Sequence, residues 1–234
     1  MMRSLIGGLL SFFIVACHGQ TPVVCKNIKM MSETTVIKTS TRLESKTRDA
    51  TVEIYSDRTS GLSFGTGTLF KYKNKNIVIT SAHVLGDDSN GVIVAIAGEE
   101  ATAEVIYYDS ENDLAVLILP ELPHLQPIKL RLSKPDDVKI GQDLLFSGHP
   151  NMMGLLTIRG YVAGMYGTSQ IIMHSFGWSG ASGSAVFSKN GKLVGILMAI
   201  GVGPGMYGEA AHMEDIVFLV PAWKLDLELL ENSM

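Results

Sequence analysis

Short apolar runs alternate with small polar punctuation along this chain, and a period of two recurs where a period of 3.6 seldom does. Thr51-Val52-Glu53-Ile54-Tyr55 alternates as a half-buried strand does. The run 65–70 follows, then the turn Lys73-Asn74-Lys75-Asn76 and the strand Ile77-Val78-Ile79-Thr80. Further strands are predicted over 92–97, 103–107 and 114–119. The segment 120–137 holds four of the chain's eight prolines and reads as a connection between two halves. Beyond it, strands are predicted over 144–147, 155–165 and 170–174. A hairpin follows over 185–200, turning at Lys189-Asn190-Gly191, and a last strand covers 216–220. Pro221 then opens a short amphipathic helix running to about Leu230. Two sets of about six short strands predict an all-β fold of two six-stranded antiparallel β-barrels with a short C-terminal helix. The N-terminal barrel is expected over 49–125, and the C-terminal barrel with its helix over 126–234.

Composition narrows the function classes. The 234 residues are 46% apolar and 18% charged, which suits a globular chain with a sizeable core. A net charge of −4 with no basic run interleaved with aromatics excludes a nucleic-acid partner. Residues 1–16 read as a signal peptide: Arg3 precedes an apolar run too short to span a bilayer. The run ends Ile14-Val15-Ala16-Cys17, which resembles a bacterial lipobox and implies acylation of Cys17, hence a membrane-anchored lipoprotein of the cell envelope. Ordinary cleavage after Ala16 would release a periplasmic or secreted protein instead. Residues 17–48 read as a tether with at most one short element. Cys17 and Cys25 are the chain's two cysteines, so the folded part has no disulfide framework, and a Cys17–Cys25 bridge would staple only a tail.

Acyl transfer at neutral pH needs a weak nucleophile made strong. A serine hydroxyl serves when an imidazole takes its proton and a carboxylate holds that imidazole in one tautomer. Six histidines are present. His83 follows an apolar strand and two small residues, which places it at a strand end. His18 is in the tail, His124 in the Pro-rich connection, His149 and His174 in a turn and a strand, and His212 in a Gly-rich region. Asp113 stands immediately before the strand Leu114 to Leu119, where a carboxylate is half-buried and able to accept hydrogen bonds. Each residue alone is an ordinary packed or turn residue.

Together they carry more. TSAHV (80–84), NDLAVL (112–117) and GASGSAV (180–186) occur in that order. They resemble the His, Asp and Ser blocks of the trypsin-like (chymotrypsin-fold) serine proteases, nearest to the bacterial HtrA-type protease domain. Gly65-Thr66-Gly67, Gly148-His149-Pro150, the strand Gly191 to Ile196 and Phe218-Leu219-Val220-Pro221 agree with lesser marks of the same family, over about residues 50–225. The resemblance implies a serine endopeptidase with His83 as base, Asp113 as orienter and Ser182, third residue of G-x-S-G, as nucleophile. The N–H groups of Gly180 and Ser182 would form the oxyanion hole. It implies no cofactor and no metal. Other hydrolase readings fail on chain order. An α/β-hydrolase needs an acid between its serine and its histidine, and between Ser182 and His212 there is no Asp, only Glu209, three residues before that His. A zincin needs H-E-x-x-H, which is absent.

Some positions depart from the family. Ala181 stands where digestive members carry the Asp that receives a freed N-terminal amine, so activation of that kind is not expected. The chain ends soon after the last barrel strand, which leaves no room for a PDZ domain. Leu197-Met198-Ala199 matches the specificity strand, and Phe176 lies near the base of the pocket. With no Asp or His there, an apolar pocket for a small or medium aliphatic residue is expected, unless these side chains simply pack the barrel. The substrates expected are proteins or peptides, self-association is left open, and activity should fall below about pH 6.5, where an ordinary imidazole protonates. A silent protease-fold binding or adaptor protein of the envelope is the alternative reading.

Overall fold

The computed structural model describes residues 38–39, 41–87, 89–120, 125–204 and 210–234. The leader, both cysteines, His18 and His124 lie outside the described residues, as does the side chain of His212. Among the described residues no helix is long and apolar enough to cross a membrane.

Strands β1 (Thr51–Arg58), β2 (Gly61–Tyr72), β3 (Lys75–Thr80), β4 (Ser89–Ile96), β5 (Glu99–Asp109) and β6 (Leu114–Ile118) lie in the order β1-β4-β5-β6-β3-β2. Antiparallel pairing of β1 with β2 closes them into a barrel. The short β7 (Ile128–Lys129), within the Pro-rich connection, adds to β2 in parallel. Strands β8 (Asp143–Gly148), β9 (Leu156–Tyr166), β10 (Gln170–His174), β11 (Ala185–Ser188), β12 (Leu193–Pro204) and β13 (Ala210–Pro221) form a second closed barrel, β10-β13-β12-β11-β8-β9. The polar punctuation sets the registers. Lys73 and Asn74 both take positive φ (43° and 68°), the backbone a two-residue hairpin between β2 and β3 requires.

Each barrel has its own apolar interior, with Val52, Ile54, Leu69, Val94 and Leu117 in the first and Phe146, Met173, Val194 and Leu219 in the second. A third cluster joins the two: Phe70, Ile77, Ile79 and Val116 from the first barrel meet Ala185, Phe187, Ile196 and Val220 from the second. The Phe70 and Phe187 rings lie 6.0 Å apart across this seam. Fully burying each such side chain is worth about 1.5–3 kcal/mol, so the seam is a core in its own right.

Among the described residues three short α-helices complete the fold: α1 (Arg42–Asp49), α2 (Ala82–Leu85) and α3 (Leu227–Asn232). Helix α1 occupies the end of the segment read as a tether. Thr41 caps it in a capping box, its hydroxyl accepting from the Glu44 N–H at 3.2 Å while the Glu44 carboxylate accepts from the Thr41 N–H at 2.8 Å. It packs on β8 and β9, where the guanidinium of Arg159 donates to Glu44 and the hydroxyls of Thr47 and Ser147 are 3.1 Å apart. At the other end the expected helix from Pro221 is shorter and later. The β12–β13 ladder continues to Pro221, paired with Gly195, a 3-10 turn covers Ala222–Lys224, and the Asp226 carboxylate caps α3 by accepting from Leu229 N–H at 2.9 Å. Helix α3 packs on β5 of the first barrel, and its Glu231 accepts from the Tyr72 hydroxyl at 2.5 Å and pairs with Lys73 at 2.6 Å.

Candidate active site

His83 sits on α2, the single turn after β3 whose Ala82, Val84 and Leu85 pack into the first barrel's interior. This turn is clamped from β1: Ser56 Oγ donates to the Leu85 carbonyl at 2.7 Å, and the Arg58 guanidinium donates to the carbonyls of Leu85 and His83. Asp113 occupies the tight turn from β5 to β6 with φ +52°, a left-handed conformation that Asp tolerates better than most side chains. That turn aims the carboxylate at His83. Asp113 Oδ1 accepts from the His83 backbone N–H at 2.8 Å, and Oδ2 lies 2.8 Å from Nδ1 of the ring. The His83 side chain is 48% exposed and that of Asp113 16%, so the carboxylate is the sheltered partner. A carboxylate on Nδ1 favours the tautomer that leaves Nε2 able to accept a proton.

Ser182 lies in the turn 178–184 before β11. Two glycines shape it. Gly180 (φ +91°) has no room for a side chain, since a Cβ there would stand 2.7 Å from the His149 carbonyl. Gly183 (φ +88°) is wedged against the first barrel, and a Cβ would stand 2.0 Å from the Thr66 carbonyl and 2.1 Å from Thr80 Oγ1. The turn is therefore seated on the strands that deliver His83. Thr66 N–H donates to the Ser182 carbonyl at 2.9 Å, and Ser81 Oγ and Gly183 N–H both donate to the Leu197 carbonyl, at 3.1 and 2.8 Å. Gly65 fills the space between: a Cβ there would lie 2.6 Å from Val84, the neighbour of His83, and 3.2 Å from the Ser182 carbonyl. Among the described residues the backbone bonds of this turn are donated by Ala181, Gly183 and Ser184. The Ser182 hydroxyl donates to the Met198 carbonyl at 3.3 Å.

The residues expected to shape specificity fall in three settings. Leu197 is buried in the interior of the second barrel, so only its backbone faces the turn. Met198 packs against the seam, with its sulfur accepting from Gln170 Nε2, and Ala199 is half-buried beside it. Phe176 is 42% exposed and stacks on Trp178. It lines an open cavity of about 590 Å³ with Tyr161, His174, Arg159 and Asp215. Two residues not singled out in the sequence stand beside Gly177, next to Phe176 in the chain. Ile200 and Val217 are register partners on β12 and β13, and a Cβ on Gly177 would lie 2.9 Å from the first and 2.3 Å from the second. Their branched side chains fill the space beside Gly177. Only the cross-strand register reveals them, because neither belongs to a motif.

No group of three or more His, Cys, Asp or Glu suited to a metal occurs among the described residues. His174 lies 3.6 Å from Asp215, and His149 3.1 Å from Glu53, both away from His83 in the sequence blocks.

The chain is similar in sequence and fold to known proteins. Residues 65–196 fit the model of the trypsin-like peptidase domain. A probable periplasmic serine endoprotease, DegP-like, from Bartonella henselae is 26% identical over 175 residues, which cover 71% of this chain and 33% of that protein. A serine protease HtrA-like from Staphylococcus aureus is 24% identical over 190 residues, covering 73% of this chain and 24% of the relative. The chain thus spans a third or less of these curated relatives. Among solved structures, the HtrA-type protease AlgW with a tripeptide superposes with a TM-score of 0.67 at 24% identity, covering 82% of this chain and 64% of that one. A serine endoprotease from Yersinia pestis superposes with a TM-score of 0.65 at 23% identity, covering 83% and 69%. At those identities the superpositions speak for the fold, which is the two-barrel fold of the chymotrypsin type. With the domain model spanning more than half of its length, the chain belongs to the trypsin-like peptidase family.

Proposed function

We propose that this protein is a serine endopeptidase in which Ser182 attacks the peptide carbonyl, His83 takes and returns the proton, and Asp113 orients the imidazole. The observation that carries the reading is the two-point grip of Asp113 on His83, both its oxygens at 2.8 Å, beside a turn that the same strands hold in place. In this mechanism the Ser182 hydroxyl leaves the Met198 carbonyl for His83 Nε2 as substrate binds, and an acyl-enzyme forms with loss of the amine product. The N–H groups of Gly180 and Ser182 stabilise the oxyanion, each such donor being worth roughly 3 kcal/mol of barrier. No metal or cofactor enters any of these steps.

Ile200 and Val217 beside Gly177 support a shallow pocket, one that takes a small aliphatic residue before the cleaved bond. Export and anchoring through Cys17 complete the reading. The lipobox-like sequence supports them, and the Bartonella relative is named as periplasmic.

Incubating the full chain with a fluorophosphonate and mapping the adduct tests the assignment, with Ser182→Ala as control. Label on Ser182, lost in the variant, is the expected result. Label on another serine, or none while the fold is intact, would favour the silent binding protein.

A further inference from the structure

Behind the Ser182 turn lies a buried acid–base pair that the proposed chemistry does not use. Glu53 on β1 and His149, the residue after β8, are both buried, and His149 Nδ1 is 3.1 Å from Glu53 Oε1. The approach is close, though Nδ1 lacks the alignment of an ideal hydrogen bond. The Tyr55 hydroxyl donates to the other oxygen, Oε2, at 2.8 Å. Glu53 lies below the usual carboxylate range, chiefly through the His149 imidazole, with burial opposing and Tyr55 assisting. Burial, then Glu53, then Glu100 of β5 push the Tyr55 phenol up.

The pair is tied to the turn through backbone. Glu53 is the register partner of Thr66, whose hydroxyl accepts from His149 N–H at 3.0 Å and donates to the Gly180 carbonyl at 2.7 Å. Two residues past His149, the Asn151 N–H donates to the Ser179 carbonyl at 2.6 Å. A trans peptide is planar, with its C=O and N–H on opposite sides. Fixing the Ser179 carbonyl toward Asn151 therefore fixes the Gly180 N–H on the opposite side of that plane, away from Asn151. Fixing the Gly180 carbonyl on Thr66 sets the next plane, whose Ala181 N–H turns to the Trp178 carbonyl at 3.0 Å. Asn151 holds φ +49° and Met152 φ +55°, left-handed conformations that persist only where neighbours hold them.

We propose that Glu53 and His149 are positioning residues of the oxyanion turn: their buried contact seats segment 149–151, and the Asn151 N–H fixes the peptide plane that presents the Gly180 N–H to the developing oxyanion. The inference rests on the endopeptidase reading above. A donor held in place acts on the transition state far more than on bound substrate, so its disorder shows in kcat.

The test is steady-state kinetics on a small peptide ester with full-length wild type, Glu53→Ala, His149→Ala, the double variant and the isostere Glu53→Gln. Thermal unfolding of each separates lost fold from lost rate. The single alanine variants should lower kcat by roughly 10–100-fold with KM held within about twofold, as expected for part of one oxyanion donor. The double variant should be no worse than the singles, because the two act as a unit. Affinity for a peptide boronic acid should fall in parallel with kcat/KM, and Glu53→Gln should retain an intermediate rate. Folded single variants with wild-type kcat, or with KM raised and kcat unchanged, would overturn the inference alone. A wild type that neither turns over ester nor labels at Ser182 would sink the endopeptidase reading, and this inference with it.

Discussion

In the proposed pocket, two side chains outside every motif would set how far a substrate residue can reach. Ile200 and Val217 crowd Gly177, so Ile200→Gly or Val217→Gly should enlarge the pocket and move preference toward larger residues such as Phe. A peptide library varied at the residue before the cleaved bond should show the kcat/KM ratio of Phe to Val rising by roughly 10-fold or more, the scale that one or two methylenes command. An unchanged preference would mean that the space beside Gly177 is not where the substrate side chain lies. His83, Asp113 and Ser182 were legible as motif residues because their chemistry demands fixed residue types in fixed local settings. The pair Ile200–Val217 was not, because a pocket wall demands only volume, and its partners meet across a ladder. Glu53 was hidden for a similar reason. Its strand reads as alternating, yet Thr51 to Ile54 are all buried, since β1 is covered by the first barrel's interior on one side and by β8 on the other.

At the scale of elements, apolar patterning reached the twelve barrel strands among the described residues, though it began the last one six residues late, at 216 where β13 starts at Ala210, and it left α1 as an undecided short element of the tether. That helix buries Glu44 and Thr47, so its packed face is polar and leaves no apolar stripe to read. The one local signal was Thr41 followed by Glu44, a capping box at the right spacing. Pro221 misled in the other direction, because a proline that can start a helix can also end an edge-paired strand. The capping box and the Arg159 contact give α1 its grip on β8 and β9. Thr41→Ala should cost about 1 kcal/mol, and Glu44→Ala somewhat more, since it removes both halves of the grip. Urea titration of each variant checks this. Stability equal to wild type in both would mean that α1 is not folded as part of the barrel unit.

At the scale of the molecule, stability and pH are linked through the buried Glu53–His149 contact. Glu53 ionises more readily in the folded chain than in the unfolded one, so the unfolded chain binds more protons in acid. The stabilisation it contributes is complete above the ordinary carboxylate value, about 4.3, and is lost as pH falls toward the lowered native value. The wild-type urea midpoint should therefore drop more steeply than that of Glu53→Gln between pH 5 and pH 3. Parallel curves would remove Glu53 from the acid response.

The flanking helices are exchanged: α1, just before the first barrel, rests on the second, and α3, just after the second barrel, rests on β5 of the first. During synthesis the first barrel emerges before the helix that closes over its β5 flank, while α1 waits for a surface that has yet to be translated. Such long-range closure is slow, because loop entropy is lost before the contacts that reward it exist. A half-made chain thus has His83 and Asp113 but neither Ser182 nor the helix that packs on β5. Under the proposed mechanism no bond can be cut before residue 182 has been made and folded against the first barrel, so a partly made chain would be safe from itself.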